Sequence, residues 1–336
     1  MQLKYRVIFR YDGAVETPCR SRRREGFMDV PSSVERAAPV ATPSWTQWLR
    51  GVVRLLRPRQ WTKNALLLIG VVFSLNIGTT WMVVKVLLAT LVFSLSASAC
   101  YCVNDVLDRH RDKQHPRKRS RPVAAGVVSP AQALLLAAVL LSLALPASYL
   151  LEPTFALVVA AYLALTVAYS LVLKEVVLLD VFAVAAGFVL RAVAGAVVIQ
   201  VPISPWLYVC TVLGALFLAL VKRRQELVVL EGRAGEHRRI LDAYGVELLD
   251  QLITIVAAAT VMAYSLYTFS AENLPDNHLM MLTIPVVLYG LFRYLWLARQ
   301  RGVGGAPEDV LWQDRPLALA VLAWGALSVG ILYLGR

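Results

Sequence analysis

Charge is scarce in this sequence: 17% of its 336 residues are Asp, Glu, Lys or Arg, against 58% hydrophobic. So low a charged fraction excludes an ordinary soluble domain and points to a chain that lives in a bilayer. Cysteine is scarce too. Cys19, Cys100, Cys102 and Cys210 make no metal-ligand or disulfide pattern, and Cys100 and Cys102 read as small apolar residues near a membrane exit. The first 45 residues have no apolar core of signal-peptide type; they predict a disordered cytoplasmic tail, with Met28 as an alternative start. No low-complexity segment and no polar stretch large enough to fold alone is present, so any chemistry sits where loops meet the membrane.

What the chain does have is long apolar runs. A hydrocarbon core about 30 Å thick takes roughly 20 residues of helix. Uncharged or nearly uncharged stretches occupy 64–84, 86–103, 123–151, 153–173, 181–221, 251–271, 279–298 and 316–335, and "QVPISP" at 200–205 divides the long one. The pattern predicts an all-α bundle of nine transmembrane helices over 46–336, preceded by an amphipathic helix at 46–57 that Pro58 ends. With the N-terminus inside, the segments 1–63, 104–122, 170–177, 222–248 and 299–315 hold nearly all of the 34 Lys and Arg. The +12 net charge is then a signal of sidedness in a multi-pass plasma-membrane protein, and no nucleic-acid partner is expected.

The densest polar stretch is "NDVLDRHRDKQHPRKRSRP", 104–122. On one helix Asn104, Asp105, Asp108 and Asp112 fall within an arc of about 100°. Hard oxygen donors so placed suit Mg²⁺, which takes one or two carboxylates plus phosphate oxygens, so a phosphorylated ligand is implied. The alternative is a solvated helix with ion pairs to Arg109, Arg111 and Lys113. Behind it, Lys118 and Arg121 are candidates for phosphate, or else cations that fix topology; His115 is a weaker ligand candidate because Pro116 follows it.

A second set of charges is deeper. Asp180, Gly187 and Arg191 share one helix face, with Arg191 roughly 16 Å along the axis from Asp180. An ionisable group at that depth serves a polar, ligand-holding cavity or a structural pair. Lys222 reaches either a polyanionic substrate or lipid headgroups. Lys63 is either a snorkelling lysine or a further cation on the same inner cavity.

"NDVLDRHRD" at 104–112, together with the "HPRKRSRP" that follows it, resembles the first motif of the UbiA-type intramembrane transferase superfamily, and the likeness covers about residues 50–335. It implies a nine-helix bundle around a central cavity open to the cytoplasmic side, with Mg²⁺ held on a diphosphate by Asn104, Asp105, Asp108 and Asp112. Most prenyl-transferring members carry a second "DxxxD" motif, yet here Asp180 is followed by Val184 and preceded by Val176. With "RPRQWTKN" at 57–64, "YSLVLK" at 169–174, "GFVLRA" at 187–192, "KRRQEL" at 222–227 and "DRP" at 314–316, the chain is similar to the branch that moves phosphoribosyl from phosphoribosyl pyrophosphate to decaprenyl phosphate, toward cell-wall arabinan.

That resemblance implies roles. Asp105 and Asp108 act at the catalytic metal, and Asp180 with Tyr169 faces the ribose. Lys63, Lys118, Arg121, Lys174, Arg191 and Lys222 bind phosphates, and the family admits homo-oligomers. The rival is a UbiA-type enzyme that passes a polyprenyl group from its diphosphate to a small or aromatic acceptor. A transporter is a further rival, disfavoured because polarity gathers at the inner boundary rather than mid-membrane.

Overall fold

A computed structural model describes residues 44–114, 118–229, 243–271, 274–275, 277–300, 310–311 and 313–334. The expectations for the 45-residue tail up to position 43, and for His115, Pro116 and Arg117, lie outside the described residues. Among the described residues every regular element is helical.

Helix α1, Trp45–Leu56, stands where the amphipathic helix is expected. Ser44 caps it: its hydroxyl accepts from the Gln47 N–H, and the Gln47 side chain accepts from the Ser44 N–H, satisfying donors that an open first turn leaves over. Gly51 and Leu55 are buried, while Trp45, Leu49 and Val53 stay exposed beside Arg50 and Arg54, the arrangement of a helix lying in a membrane surface. Arg57 ends α1 in the left-handed region at φ 52°, and Pro58 opens a 3-10 segment, Pro58–Leu66.

The expected first crossing at 64–84 is not one helix. It resolves into that 3-10 segment, a two-turn α2 (Leu67–Phe73) and a new helix α3 that begins at Thr80. The reason is backbone packing against α7, Leu179–Val198. A Cβ on Gly195 would lie 2.0 Å from the Leu67 carbonyl oxygen, and one on Gly70 would lie 2.8 Å from the Ala196 nitrogen. Two glycines let two main chains touch, and local hydropathy does not report such a contact.

Helix α3, Thr80–Leu107, has 28 residues. At 1.5 Å per residue it is about 42 Å long, so its last turns outrun a hydrocarbon core about 30 Å thick. It is followed by α4 (Arg109–Gln114), α5 (Pro130–Leu151), α6 (Pro153–Leu171), α7 and α8 (Pro205–Val229). Then come α9 (Val246–Ser270), α10 (Ile284–Gln300) and α11 (Arg315–Leu334). Among the described residues seven helical segments are long and apolar enough to cross a membrane: α3, α5, α6, α7, α9, Leu279–Gln300 and α11. Helix α8, 25 residues long, packs between α7 and α9.

Phe93, Phe155 and Val159 fill one core, and Phe217, Leu249, Ile253 and Leu317 another. Leu91, Leu143, Leu157 and Leu322 face outward, as lipid-exposed residues do. Arg293, which interrupts the 279–298 run, pairs with Asp314 at 2.8 Å, and Asp314 caps α11 by accepting the Leu317 N–H at 2.9 Å.

Candidate functional site

The four donors at the end of α3 are present, but not as one arc. The helix stops at Asp108, whose backbone has φ −87° and ψ 2°, and Asp112 belongs to α4. Asn104 and Asp108 turn toward the end of α6: the Ser170 hydroxyl donates to Asn104 Oδ1 at 3.2 Å, and Lys174 Nζ meets Asp108 Oδ1 at 3.1 Å. Asp105 and Asp112 turn toward two arginines. Arg121 Nη1 is 3.2 Å from Asp105 Oδ1 and 2.7 Å from Asp112 Oδ2, and Arg57 Nη2 is 2.5 Å from Asp105 Oδ1. A wheel drawn through a helix break overstates how closely its residues agree in direction.

Arg57 is the residue to which sequence reasoning gave no role, named only as the start of "RPRQWTKN". Its signal was its place before Pro58, where the chain must leave the helix and turn toward α3. There its guanidinium lies 4.8 Å from the centre of the Tyr101 ring. The local partners proposed for the acids look elsewhere: Arg111 pairs with Glu175 and Arg109 donates to His110.

Among the described residues no group of three His, Cys, Asp or Glu converges on a point where they hold a metal ion together. The donor chemistry nevertheless fits Mg²⁺. One nitrogen, Arg121 Nη1, is within hydrogen-bond reach of two buried carboxylates, so Asp105 and Asp112 already converge on a cation. Two carboxylates completed by phosphate oxygens and water are what this ion takes.

Two cavities of opposite character adjoin the bundle's charged residues. The larger, about 1300 Å³, is lined by the 3-10 segment, α2, α7, α8, α9, α10 and α11 and is mostly apolar, with Lys63 and Lys222 in its wall. Its α8 wall runs from Trp206 to Lys222, about 24 Å of helix. Tyr264 and Trp324 line it as well, joined by a bond of 2.7 Å from the Trp324 ring N–H to the Tyr264 oxygen. The smaller, about 780 Å³, is the more polar: Asp108, Arg111, Ser170, Lys174 and Glu175 line it, beside Leu107, Leu171, Val177 and Ala243. Lys118 is exposed on a short 3-10 turn before Arg121, and Tyr169 is half-buried beside Ser170 without lining either cavity.

Asp180 and Arg191, expected at the ribose and at a phosphate, are held by the protein itself. Asp180 is fully buried; the Tyr244 hydroxyl donates to its Oδ1 at 2.7 Å and Arg223 Nη2 lies 2.5 Å from its Oδ2. Arg191 is 6% exposed and spends its three nitrogens on Asn64 Oδ1 (2.8 Å), the Gly187 carbonyl (2.6 Å) and the Tyr162 hydroxyl (2.9 Å). Phe93, Tyr162 and Phe188 surround its guanidinium with ring faces. Gly187 does leave room, as a Cβ there would lie 3.4 Å from Arg191 Nη1. Asn64 in turn donates to Ser94, which lies eleven residues, on the order of 16 Å, along α3 from Asp105. Arg191 is thus a tie between α7, α6 and the 3-10 segment at a level remote from the acids.

Arg191→Met keeps the volume and removes that tie. It is expected to destabilise the protein by about 2–4 kcal/mol, because buried acceptors lose a charged donor. Thermal unfolding in detergent measures it; a midpoint within a degree of wild type would refute the role.

The sequence profile of the UbiA prenyltransferase family matches residues 65–304. The decaprenyl-phosphate phosphoribosyltransferase of Mycobacterium tuberculosis is 37% identical over 289 residues, covering 85% of this chain and 95% of that protein. The protein of the same name from Mycolicibacterium smegmatis is 35% identical over 322 residues, covering 91% of this chain and all of its own length. Among solved structures, a UbiA homologue from Archaeoglobus fulgidus bound to GPP and Mg²⁺ superposes with a TM-score of 0.64 at 20% identity, over 84% of this chain and 99% of that one.

Proposed function

This chain belongs to the UbiA prenyltransferase family and is a membrane-embedded transferase, and we propose that it transfers 5-phosphoribosyl from phosphoribosyl pyrophosphate to decaprenyl phosphate, releasing pyrophosphate in a cell-wall arabinan pathway. The observation that carries the proposal is the pair of unlike cavities. A long apolar space with Lys63 and Lys222 in its wall suits a lipid whose head is one phosphate. A polar space bearing Asp108, Arg111, Ser170 and Lys174 suits a sugar with phosphates at two ends. A prenyl diphosphate donor would use a second acidic pair, and the one acid at that place, Asp180, is already engaged by Arg223 and Tyr244.

In this reading the bundle crosses the plasma membrane nine times, with α8 and the 58–73 segment as the further crossings and the acids on the cytoplasmic side. Asp105 and Asp112, with Asn104 and Asp108 beside them, hold Mg²⁺ directly or through water. When bound, Mg²⁺ neutralises charge on the leaving pyrophosphate. Lys174, Arg121, Arg57 and Lys118 meet phosphate oxygens that the metal does not reach, and Tyr169 stands near the ribose. As the C1–O bond of the donor breaks, positive charge grows on the sugar ring, and the lipid phosphate oxygen forms the new bond from the opposite face, inverting C1. That oxygen is already anionic, so no general base is needed. Asp180 and Arg191 serve the framework.

Membranes containing the protein, given labelled phosphoribosyl pyrophosphate, decaprenyl phosphate and Mg²⁺, should yield a charged labelled lipid and pyrophosphate. Product from a prenyl diphosphate and an aromatic acceptor, with none from phosphoribosyl pyrophosphate, would instead establish the prenyltransferase. The cavities also predict a division of effects. Lys174→Ala should raise KM for phosphoribosyl pyrophosphate about tenfold or more, and Lys222→Ala should do the same for the lipid phosphate, since each removes a charge-assisted bond. Steady-state kinetics with each substrate varied in turn separates the two; interchanged effects would reverse the cavity assignment.

A further inference from the structure

We propose that Asp180, Arg223 and Tyr244 form a latch that positions Lys174 at the polar cavity by fixing the backbone of Leu178. The proposal rests on Lys174 being a ligand for the donor's phosphates, as assigned above.

Leu178 has φ 67° and ψ −42°, a backbone state that a leucine enters only where its surroundings fix it. Its N–H donates to the Tyr244 oxygen at 2.7 Å, and the Tyr244 hydroxyl donates to Asp180 Oδ1 at 2.7 Å. Asp180 Oδ2 meets Arg223 Nη2 at 2.5 Å, and Arg223 also pairs with Glu226. Asp180, Tyr244 and Arg223 are exposed by 0%, 3% and 4%. Burial, reinforced by the bond to Asp180, pushes the Tyr244 phenol up to about 12, so it remains a donor at any physiological pH.

The latch bears on the site through a short path. Residues 172–178 join α6 to α7 and carry Lys174 on a 3-10 turn, Leu173–Glu175. Lys174, four residues upstream of the constrained leucine, reaches Asp108 Oδ1 at the end of α3 with its Nζ. Ala243, the neighbour of Tyr244, lines the same cavity as Lys174 and Val177. The segment before α9 therefore walls the cavity and sets the loop that supplies its lysine. Asp180, the acid that the family resemblance sets at the ribose, holds a loop in this arrangement, and Asp180 and Tyr244 are positioning residues.

Tyr244→Phe removes one oxygen and keeps the buried ring. KM for phosphoribosyl pyrophosphate should rise about five- to tenfold, with kcat and the KM for the lipid phosphate changed by less than about twofold. Asp180→Asn should shift the same constant in the same direction. Because both residues act through one amine, Lys174→Ala/Tyr244→Phe should be no worse than Lys174→Ala alone. Without any substrate, an amine-reactive reagent should modify Lys174 several-fold faster in Tyr244→Phe, read by mass spectrometry of the labelled peptide. Effects that multiply in the double variant, or unchanged labelling of Lys174, would overturn the latch. A wild-type protein that does not turn over phosphoribosyl pyrophosphate would overturn the functional reading, and the labelling comparison would still decide the latch.

Discussion

Asp105→Asn is expected to lower phosphoribosyl transfer by about a hundred- to a thousandfold, the scale on which one preorganised electrostatic contact to a developing charge acts. The substitution keeps the shape and one acceptor oxygen, turns the other oxygen into an N–H donor and removes the negative charge. Asp105 is 2% exposed and is the point where Arg57 and Arg121 converge, so its charge is the most strongly solicited in the site. With asparagine there, Asp112 alone faces Arg121, and a divalent cation meets one carboxylate instead of two. The half-saturating Mg²⁺ concentration in the membrane assay should therefore rise as the rate falls. Asp105→Asn with more than a third of wild-type activity and an unchanged Mg²⁺ dependence would remove Asp105 from the metal site.

Gly195→Ala should abolish accumulation of folded protein, the largest stability effect anticipated for a single methyl group in this chain. Its Cβ would stand 2.0 Å from the Leu67 carbonyl oxygen and 2.7 Å from two further Leu67 backbone atoms. Backbone cannot swing aside as a side chain does, so α2 and α7 must separate. That costs the burial of Leu67 and Val71 against Ala194 and Val198, on the order of 3–5 kcal/mol or more. Gly78, whose Cβ would meet nothing within 4 Å, is the control and should accept alanine with little loss. Yield after membrane extraction and the thermal midpoint measure both; a Gly195→Ala protein as stable as wild type would disprove the backbone contact.

Much of this molecule was legible in its residues. The apolar runs at 86–103, 123–151, 153–173, 181–221 and 251–271 each overlap observed helices (Thr80–Leu107, Pro130–Leu151, Pro153–Leu171, Leu179–Val198 with Pro205–Val229, and Val246–Ser270), and the turn at 200–205 falls between α7 and α8. "NDVLDRHRD" pointed to the acids, and Lys174 and Arg121 are at them. The first crossing was misread because the Gly70–Gly195 approach leaves no trace in hydropathy. Arg191 was legible as a buried charge but not as one whose acceptors come from Asn64, Gly187 and Tyr162.

The sequence by itself determined that the chain is a helical membrane protein, where most of its long helices run, and which short stretch bears acids in number. Those properties are local: hydrophobic transfer acts residue by residue, and helical hydrogen bonds span four positions. Tertiary structure alone decided which charge answers which. Arg57 meets Asp105 across 48 residues, Leu178 meets Tyr244 across 66, and Arg191 meets Asn64 across 127. An ion pair or a hydrogen bond forms only within a few ångströms, and packing of the apolar helices, not spacing along the chain, sets that distance.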